Sequence, residues 1–168
     1  RFPHKFLFGS DFPGVPGRME FVQKEPFAVV VDYAHTPDSL REVYKTFRQR
    51  ASFASAVSSK VVVNRPTTKT VNDTLHADQN ENKKLICVLG AAGGGRDKWK
   101  RPEMGKIAAE YCDEIILTNE DPYCENPDSI LNEIEFGISQ FPISNFQFPK
   151  KCLKILDRKG AIKKAIAM

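Results

Sequence analysis

Apolar residues along this chain keep two alternating rhythms. Phe27 to Asp32 (FAVVVD), Leu85 to Leu89 (LICVL) and Glu114 to Thr118 (EIILT) are short continuous runs rich in Val, Ile and Leu. Such runs predict strands buried on both faces. Leu153 to Leu156 predicts a short fourth strand. Between and after them the period changes. Leu40, Val43, Tyr44 and Phe47 recur at i, i+3, i+4 and i+7. Met104, Ile107, Ala108 and Tyr111 form a second such set; Ile130, Leu131, Ile134 and Ile138 a third; Ala161, Ile162, Ala165 and Ile166 a fourth. Each set is one apolar helix face. Helix starts are marked by Thr36 before Pro37, Asn126 before Pro127, Pro102, and Asp157, because these residues cap or open a helix. Strand then helix, four times over, predicts an α/β domain with a parallel sheet and right-handed crossovers.

Two stretches break the rhythm. Residues 1 to 26 contain six prolines or glycines by Gly17 and predict a connecting segment, with GVPGRME (Gly14 to Glu20) turning into an edge strand. Ala51 to Lys84 is rich in Ser, Thr, Asn and Lys, with a short VVV at Val61 to Val63. It reads as an insertion with a small β-excursion, which is cheap because doubling a flexible loop costs only about 0.6 kcal/mol. Asn72-Asp73-Thr74 within it matches a glycosylation triplet, without meaning in a cytosolic protein.

Composition narrows the class. A chain of 168 residues suits one domain with a real core. At 41% hydrophobic and 27% charged it is neither disordered nor a membrane protein, and no apolar run approaches a membrane span. The N-terminus has no uninterrupted apolar region of a signal peptide, so a cytoplasmic location is expected. It also lacks a starting Met, as expected of a piece of a longer protein. The net charge of +4 is mild, and the basic residues are mixed with acidic ones, so nucleic acid is not demanded as a partner. Cys87, Cys112, Cys124 and Cys152 show no C-x-x-C spacing, which reads as reduced, mostly buried thiols rather than a metal site.

The candidate chemistry lies in the loops. Asp32 to His35, Gly90 to Lys98, Thr118 to Tyr123, and Asp157 each follow a predicted strand, so they share the carboxyl edge of the sheet, where ligands bind in such folds. Gly93 to Gly95 let the backbone turn tightly or approach a ligand, and the helix start beyond them suits an anion. Lys98 to Arg101 could hold a phosphate or carboxylate, or form a solvated helix entrance. Asp97, Lys100 and Arg101 read better as a structural ion-pair set. His35 alone could be structural, and Asp32 a cap.

Taken together, PGRMEF, VVDYAHTPDSL, LGAAGGGRDKWKRPEMGKIAAEYCDEIILTNEDP and DRKGAIKKAI resemble, in order and spacing, the C-terminal domain of the Mur ligases, over roughly two-thirds of the chain. The nearest pattern is that of members that add the third amino acid to the peptidoglycan precursor UDP-N-acetylmuramoyl-L-alanyl-D-glutamate. The resemblance implies a three-layer, Rossmann-like, mostly parallel sheet of six strands. It also implies ATP-dependent amide formation through an acyl phosphate. ATP and Mg²⁺ would be held mainly by a central ATPase domain outside this chain, since no G-K-[ST] phosphate loop and no G-K-G-H-E segment occur here. The fragment alone is then expected to be inactive, and none of its residues is assigned as catalytic or as a metal ligand. By position, Arg18 resembles the arginine that reaches the ATP phosphates. Asp32 resembles the residue that bonds the ribose, with Tyr33 and His35 beside the nucleotide. Arg96 resembles the arginine that grips the amino acid's α-carboxylate, with Gly94 and Gly95 allowing close approach and Asp121 and Tyr123 facing its side chain.

Two departures bear on the substrate. The glycine loop is one residue longer than the usual form. Members that use meso-diaminopimelate carry D-N-P-R where this chain has Glu120-Asp121-Pro122-Tyr123. A charge-assisted bond is worth roughly 1.5–3 kcal/mol, so losing the arginine weakens a second carboxylate by roughly ten- to a hundredfold. Asp121 would instead suit a side-chain amine, as in lysine or ornithine. The other reading is that a different residue replaces the arginine and diaminopimelate is still used. Rival functions are a related ligase domain of cyanophycin or folyl-polyglutamate type, and a non-enzymatic nucleotide- or partner-binding module.

Overall fold

The computed structural model describes residues 15–53, 60–62, 84–95, 97–140 and 151–168. Its strands are β1 (Glu20–Gln23), β2 (Ala28–Val31), β3 (Lys60–Val62), β4 (Lys84–Leu89), β5 (Glu114–Leu117) and β6 (Lys151–Lys154). They form one six-stranded sheet in sequence order. β1 is antiparallel to β2, with an irregular register between Phe21 and Gln23, and every other neighbouring pair is parallel. The helices are α1 (Pro37–Phe53), α2 (Lys100–Tyr111), α3 (Pro127–Ser139) and α4 (Arg158–Ile166).

A sheet that grows in one direction through right-handed crossovers sends every crossover helix to the same face. Accordingly α1, α2 and α3 share one core with the first face of the sheet, built from residues such as Leu40, Phe47, Leu85, Leu89, Ile107 and Ile134. α4 follows the last strand and turns to the opposite face, where Ala161 and Ala165 pack on Ile86 and Ile116. Side chains alternate across a strand. Leu85, Cys87 and Leu89 therefore serve the first core and Ile86 the second, which is why LICVL is apolar throughout. The result is the expected three-layer α/β fold.

Helices α2 and α3 meet backbone to backbone. A Cβ on Gly105 would lie 2.1 Å from the Ile134 carbonyl oxygen, and one on Gly137 would lie 1.9 Å from that of Pro102. The apolar periodicity did not single out either glycine.

Several expectations shift. Lys60–Val62 is not an excursion within an insertion: β3 sits between β2 and β4 as a full member of the sheet. α1 continues to Phe53, past the expected insertion start. α2 begins at Lys100, two residues ahead of Pro102, and Trp99 at its cap makes no side-chain cap bond. β6 lies two residues earlier than the apolar run suggested, because its pairing with Glu114–Leu117 of β5 takes in Lys151 to Lys154, whose two end residues are open to solvent. Cys87 and Cys112 are buried, but Cys152 is half-buried and Cys124 exposed, and none of the four forms a disulfide among the described residues. The N-terminal tip, the bulk of the 51–84 segment with its Asn72 triplet, and Arg96 lie outside the described residues. Among the described residues no helix is long and apolar enough to cross a membrane.

Candidate functional site

The loop after β2 is built on Asp32. Its Oδ1 accepts from the Ala34 N–H at 2.7 Å and its Oδ2 from the Met19 N–H at 2.9 Å. One carboxylate thus fixes both the exit from β2 and the turn into β1. That places Arg18 beside the loop, with its guanidinium carbon 5.6 Å from the centroid of the Tyr33 ring, a cation–π distance. Tyr33 in turn lies against His35, ring centroids 5.1 Å apart. His35 Nδ1 is 3.0 Å from the Tyr33 carbonyl oxygen. Thr36 and Ser39 then cap α1 reciprocally: the Ser39 N–H donates to Thr36 Oγ1 at 3.4 Å and the Thr36 N–H to Ser39 Oγ at 3.2 Å.

The glycine loop after β4 is zipped to the loop after β5. The Gly93 N–H donates to the Asp121 carbonyl oxygen at 2.7 Å. A Cβ on Gly93 would stand 2.0 Å from the Pro122 carbonyl oxygen, so its missing side chain makes room for the neighbouring loop rather than for a ligand. Gly94 and Gly95 have φ of +87° and +76°, where other residues are strained. Gly94 lies under the Tyr123 ring, a Cβ there falling 3.6 Å from Cδ2.

Behind this loop Arg101 is fully buried. Its Nη1 donates to Glu125 Oε2 at 3.0 Å and to Glu133 Oε2 at 2.9 Å, and its Nη2 to Glu125 Oε1 at 2.9 Å and to the Ala92 carbonyl oxygen at 3.2 Å. Lys98 Nζ also lies 2.9 Å from Glu125. These bonds, from Arg101 first, then Lys98 and the Gly95 N–H, hold the Glu125 carboxyl well below the usual carboxylate range. Lys98 and Arg101 are therefore taken by carboxylates of this chain. The structural reading of Arg101 holds; Lys100 is only loosely held by Asp97, at 4.0 Å.

A cleft of about 280 Å³ opens at the carboxyl edge of the sheet. Its lining brings together Asp32, Tyr33 and His35 from the loop after β2, Gly90 to Ala92 from the loop after β4, and Asp121 and Tyr123 from the loop after β5. Five of the expected site residues therefore share one cavity. Arg18 adjoins it through Tyr33, and Gly94 through Tyr123; Gly95 stands behind it, bonded to Glu125 at 2.7 Å. Lys100, which the sequence read better as part of an ion-pair set, also lines the cleft, as does Arg158, which was not assigned to the site. Arg158 Nη2 is 3.5 Å from Glu120 Oε1. The sequence signals for Arg158 were its place in DRKGAIKKAI and after the Asp157 cap, whose carboxylate accepts from the N–H groups of Lys159 and Gly160.

Carboxylates and cations thus line one cleft together with apolar side chains such as Leu40 and Met104, which suits a ligand carrying both charges or a polyphosphate. Among the described residues no Ser, Thr or Cys lines it. No group of three or more His, Cys, Asp or Glu among the described residues could hold a metal ion.

The family model described as "Mur ligase, glutamate ligase domain" matches residues 17–63 and 64–168. A UDP-N-acetylmuramoyl-L-alanyl-D-glutamate–2,6-diaminopimelate ligase of Thermosynechococcus vestitus is 42% identical over 131 residues, covering 76% of this chain and 20% of that protein. The ligase of the same name from Aquifex aeolicus is 38% identical over 154 residues, covering 92% of this chain and 24% of its own length. A solved structure of a ligase of that name superposes with a TM-score of 0.58 at 29% identity, over 91% of this chain and 24% of that one. The chain therefore spans about a fifth to a quarter of the length of these relatives. With the model spanning the sheet, the cleft and all four helices, the chain belongs to the Mur ligase family.

Proposed function

We propose that this chain is the C-terminal domain of an ATP-dependent ligase that adds the third amino acid to UDP-N-acetylmuramoyl-L-alanyl-D-glutamate. The observation that carries the reading is the convergence of Asp32, Tyr33 and His35 with Asp121 and Tyr123 on one cleft, in a chain of this family. In this reading the γ-phosphate of ATP activates the D-glutamyl carboxylate as an acyl phosphate. The amine of the incoming amino acid attacks that carbonyl, phosphate leaves, and an amide remains. The chain's own part is positioning and charge complementation. Arg18 reaches toward the ATP phosphates, and Asp32 accepts from the ribose while Tyr33 and His35 flank the nucleotide. Arg96 grips the α-carboxylate of the amino acid, with Gly94 and Gly95 shaping the loop for its close approach, and Asp121 and Tyr123 face its side chain. Mg²⁺ belongs in this reading to the central ATPase domain, and no step of this chain is routed through it. Closure against that domain completes the site, in the cytoplasm, where the nucleotide precursors are.

The side-chain pocket favours a diamino acid with one carboxylate. Asp121 lines the cleft beside Tyr123, and Tyr123, 74% exposed, offers no charge to a second carboxylate. The second reading is meso-diaminopimelate itself, favoured by the names of the relatives and by Lys100 and Arg158 in the same cleft. The test is phosphate release by the full-length protein with ATP, Mg²⁺ and the UDP-linked dipeptide, offering lysine, ornithine or meso-diaminopimelate separately. Lysine or ornithine is the expected substrate. Turnover with diaminopimelate keeps the ligase and moves the second carboxylate to Lys100 or Arg158. No turnover from folded protein overturns the ligase in favour of another acid substrate or a binding module.

A further inference from the structure

We propose that Glu125 is a positioning residue that locks the glycine loop after β4 to the loop after β5, so that the two halves of the amino-acid pocket form one rigid wall; this rests on the ligase reading above. The case starts from the chain's own stiffness. Three consecutive glycines have no intrinsic conformation, and ordering them costs more backbone entropy than ordering any other residues. A loop of that kind keeps a shape only if groups outside it hold it.

Glu125 is the group that holds its far end. Oε1 accepts from the Gly95 N–H at 2.7 Å while also accepting from Arg101 Nη2 at 2.9 Å. Oε2 accepts from Arg101 Nη1 at 3.0 Å and pairs with Lys98 Nζ at 2.9 Å. Arg101, anchored by this carboxylate, grips the near end of the loop through the Ala92 carbonyl oxygen at 3.2 Å. The middle is closed by the Gly93 N–H on Asp121. Glu125 is itself set by a tight turn, its N–H donating to the Pro122 carbonyl oxygen at 2.9 Å with Tyr123 at φ +50° inside that turn. One side chain therefore joins the turn that presents Asp121 and Tyr123 to the loop that presents Gly94 and Gly95. A carboxylate fits the task because its two oxygens accept from four donor groups on three residues at once, which a neutral side chain cannot match.

The test compares the full-length wild type with Glu125→Ala and Glu125→Gln. KM for the amino acid and KM for ATP are measured separately, and exchange of backbone amides over residues 90–97 and 104–111 is followed by mass spectrometry. In Glu125→Ala the amino-acid KM is expected to rise about tenfold or more while the ATP KM stays within about twofold. Exchange should quicken over 90–97 and not over 104–111. Glu125→Gln keeps an acceptor for Gly95 and should recover part of the loss. An unchanged loop exchange in Glu125→Ala overturns the proposal, as does a rise of both KM values together. If the wild type turns over no amino acid, the ligase reading falls; loop exchange still decides whether Glu125 holds the loop.

Discussion

Arg101 and Glu125 meet fork to fork, Nη1 to Oε2 at 3.0 Å and Nη2 to Oε1 at 2.9 Å, with the Arg101 side chain wholly out of solvent. Removing one member of a buried pair leaves the other uncompensated. Glu133, the second partner, is 37% exposed, so water can recover part of that loss. Arg101→Met is expected to cost about 2–4 kcal/mol and to lower the melting temperature by roughly 5–12 °C. A thermal melt checks this; a shift within about 1 °C would mean the pair contributes nothing net.

The same carboxylate sets an acid sensitivity. Arg101, Lys98 and the Gly95 N–H depress the folded-state pKa of Glu125. The unfolded chain therefore takes up this proton first, near pH 4.3. The stabilisation is fully present above that pH and is lost as pH falls through the range below it. Glu125→Gln should show a flatter decline of stability with acid than the wild type below about pH 4. Parallel curves from denaturant titrations at several pH values would refute the assignment.

The close approach of α2 and α3 predicts an inverted glycine effect. Alanine is the better helix former by about 1 kcal/mol. At Gly105, however, its methyl would meet the Ile134 carbonyl oxygen at 2.1 Å, a backbone atom that cannot swing away. Overpacking of this kind costs typically 1–3 kcal/mol, so Gly105→Ala should destabilise despite the propensity gain. A raised melting temperature would mean that the helices separate freely.

Tyr123 predicts a change of substrate. In the full-length protein, Tyr123→Arg should restore a cation for a second carboxylate and improve kcat/KM for meso-diaminopimelate relative to lysine by roughly ten- to a hundredfold. An unchanged ratio would place the second carboxylate elsewhere in the cleft, with Lys100 the first residue to substitute.

Asp157 makes a smaller, local prediction. Its carboxylate accepts from the N–H groups of Lys159 and Gly160, at 3.2 and 2.8 Å. Asp157→Ala should cost about 1 kcal/mol. Exchange of the first-turn amides of α4 should quicken while α2 is unaffected.

Local rules carried much of this fold. FAVVVD, LICVL and EIILT became strands because a strand buried on both faces needs apolar residues at successive positions. Pro37, Asn126 and Asp157 marked helix starts because capping is decided within four residues. Their order along the chain was enough to bring Asp32, His35, Asp121 and Tyr123 to one edge of the sheet. The tertiary structure decided what depended on distant partners. Lys60–Val62 is too short to read as a strand by itself and becomes one only by pairing with β2 and β4. Gly93 looked like a place for a ligand, yet the Pro122 carbonyl fills it. Lys98 looked free to hold an anion, yet Glu125, 27 positions on in sequence, holds it. Periodicity reports which face a residue presents, and composition reports its charge. Which charge ends up opposite which is settled only when two loops meet.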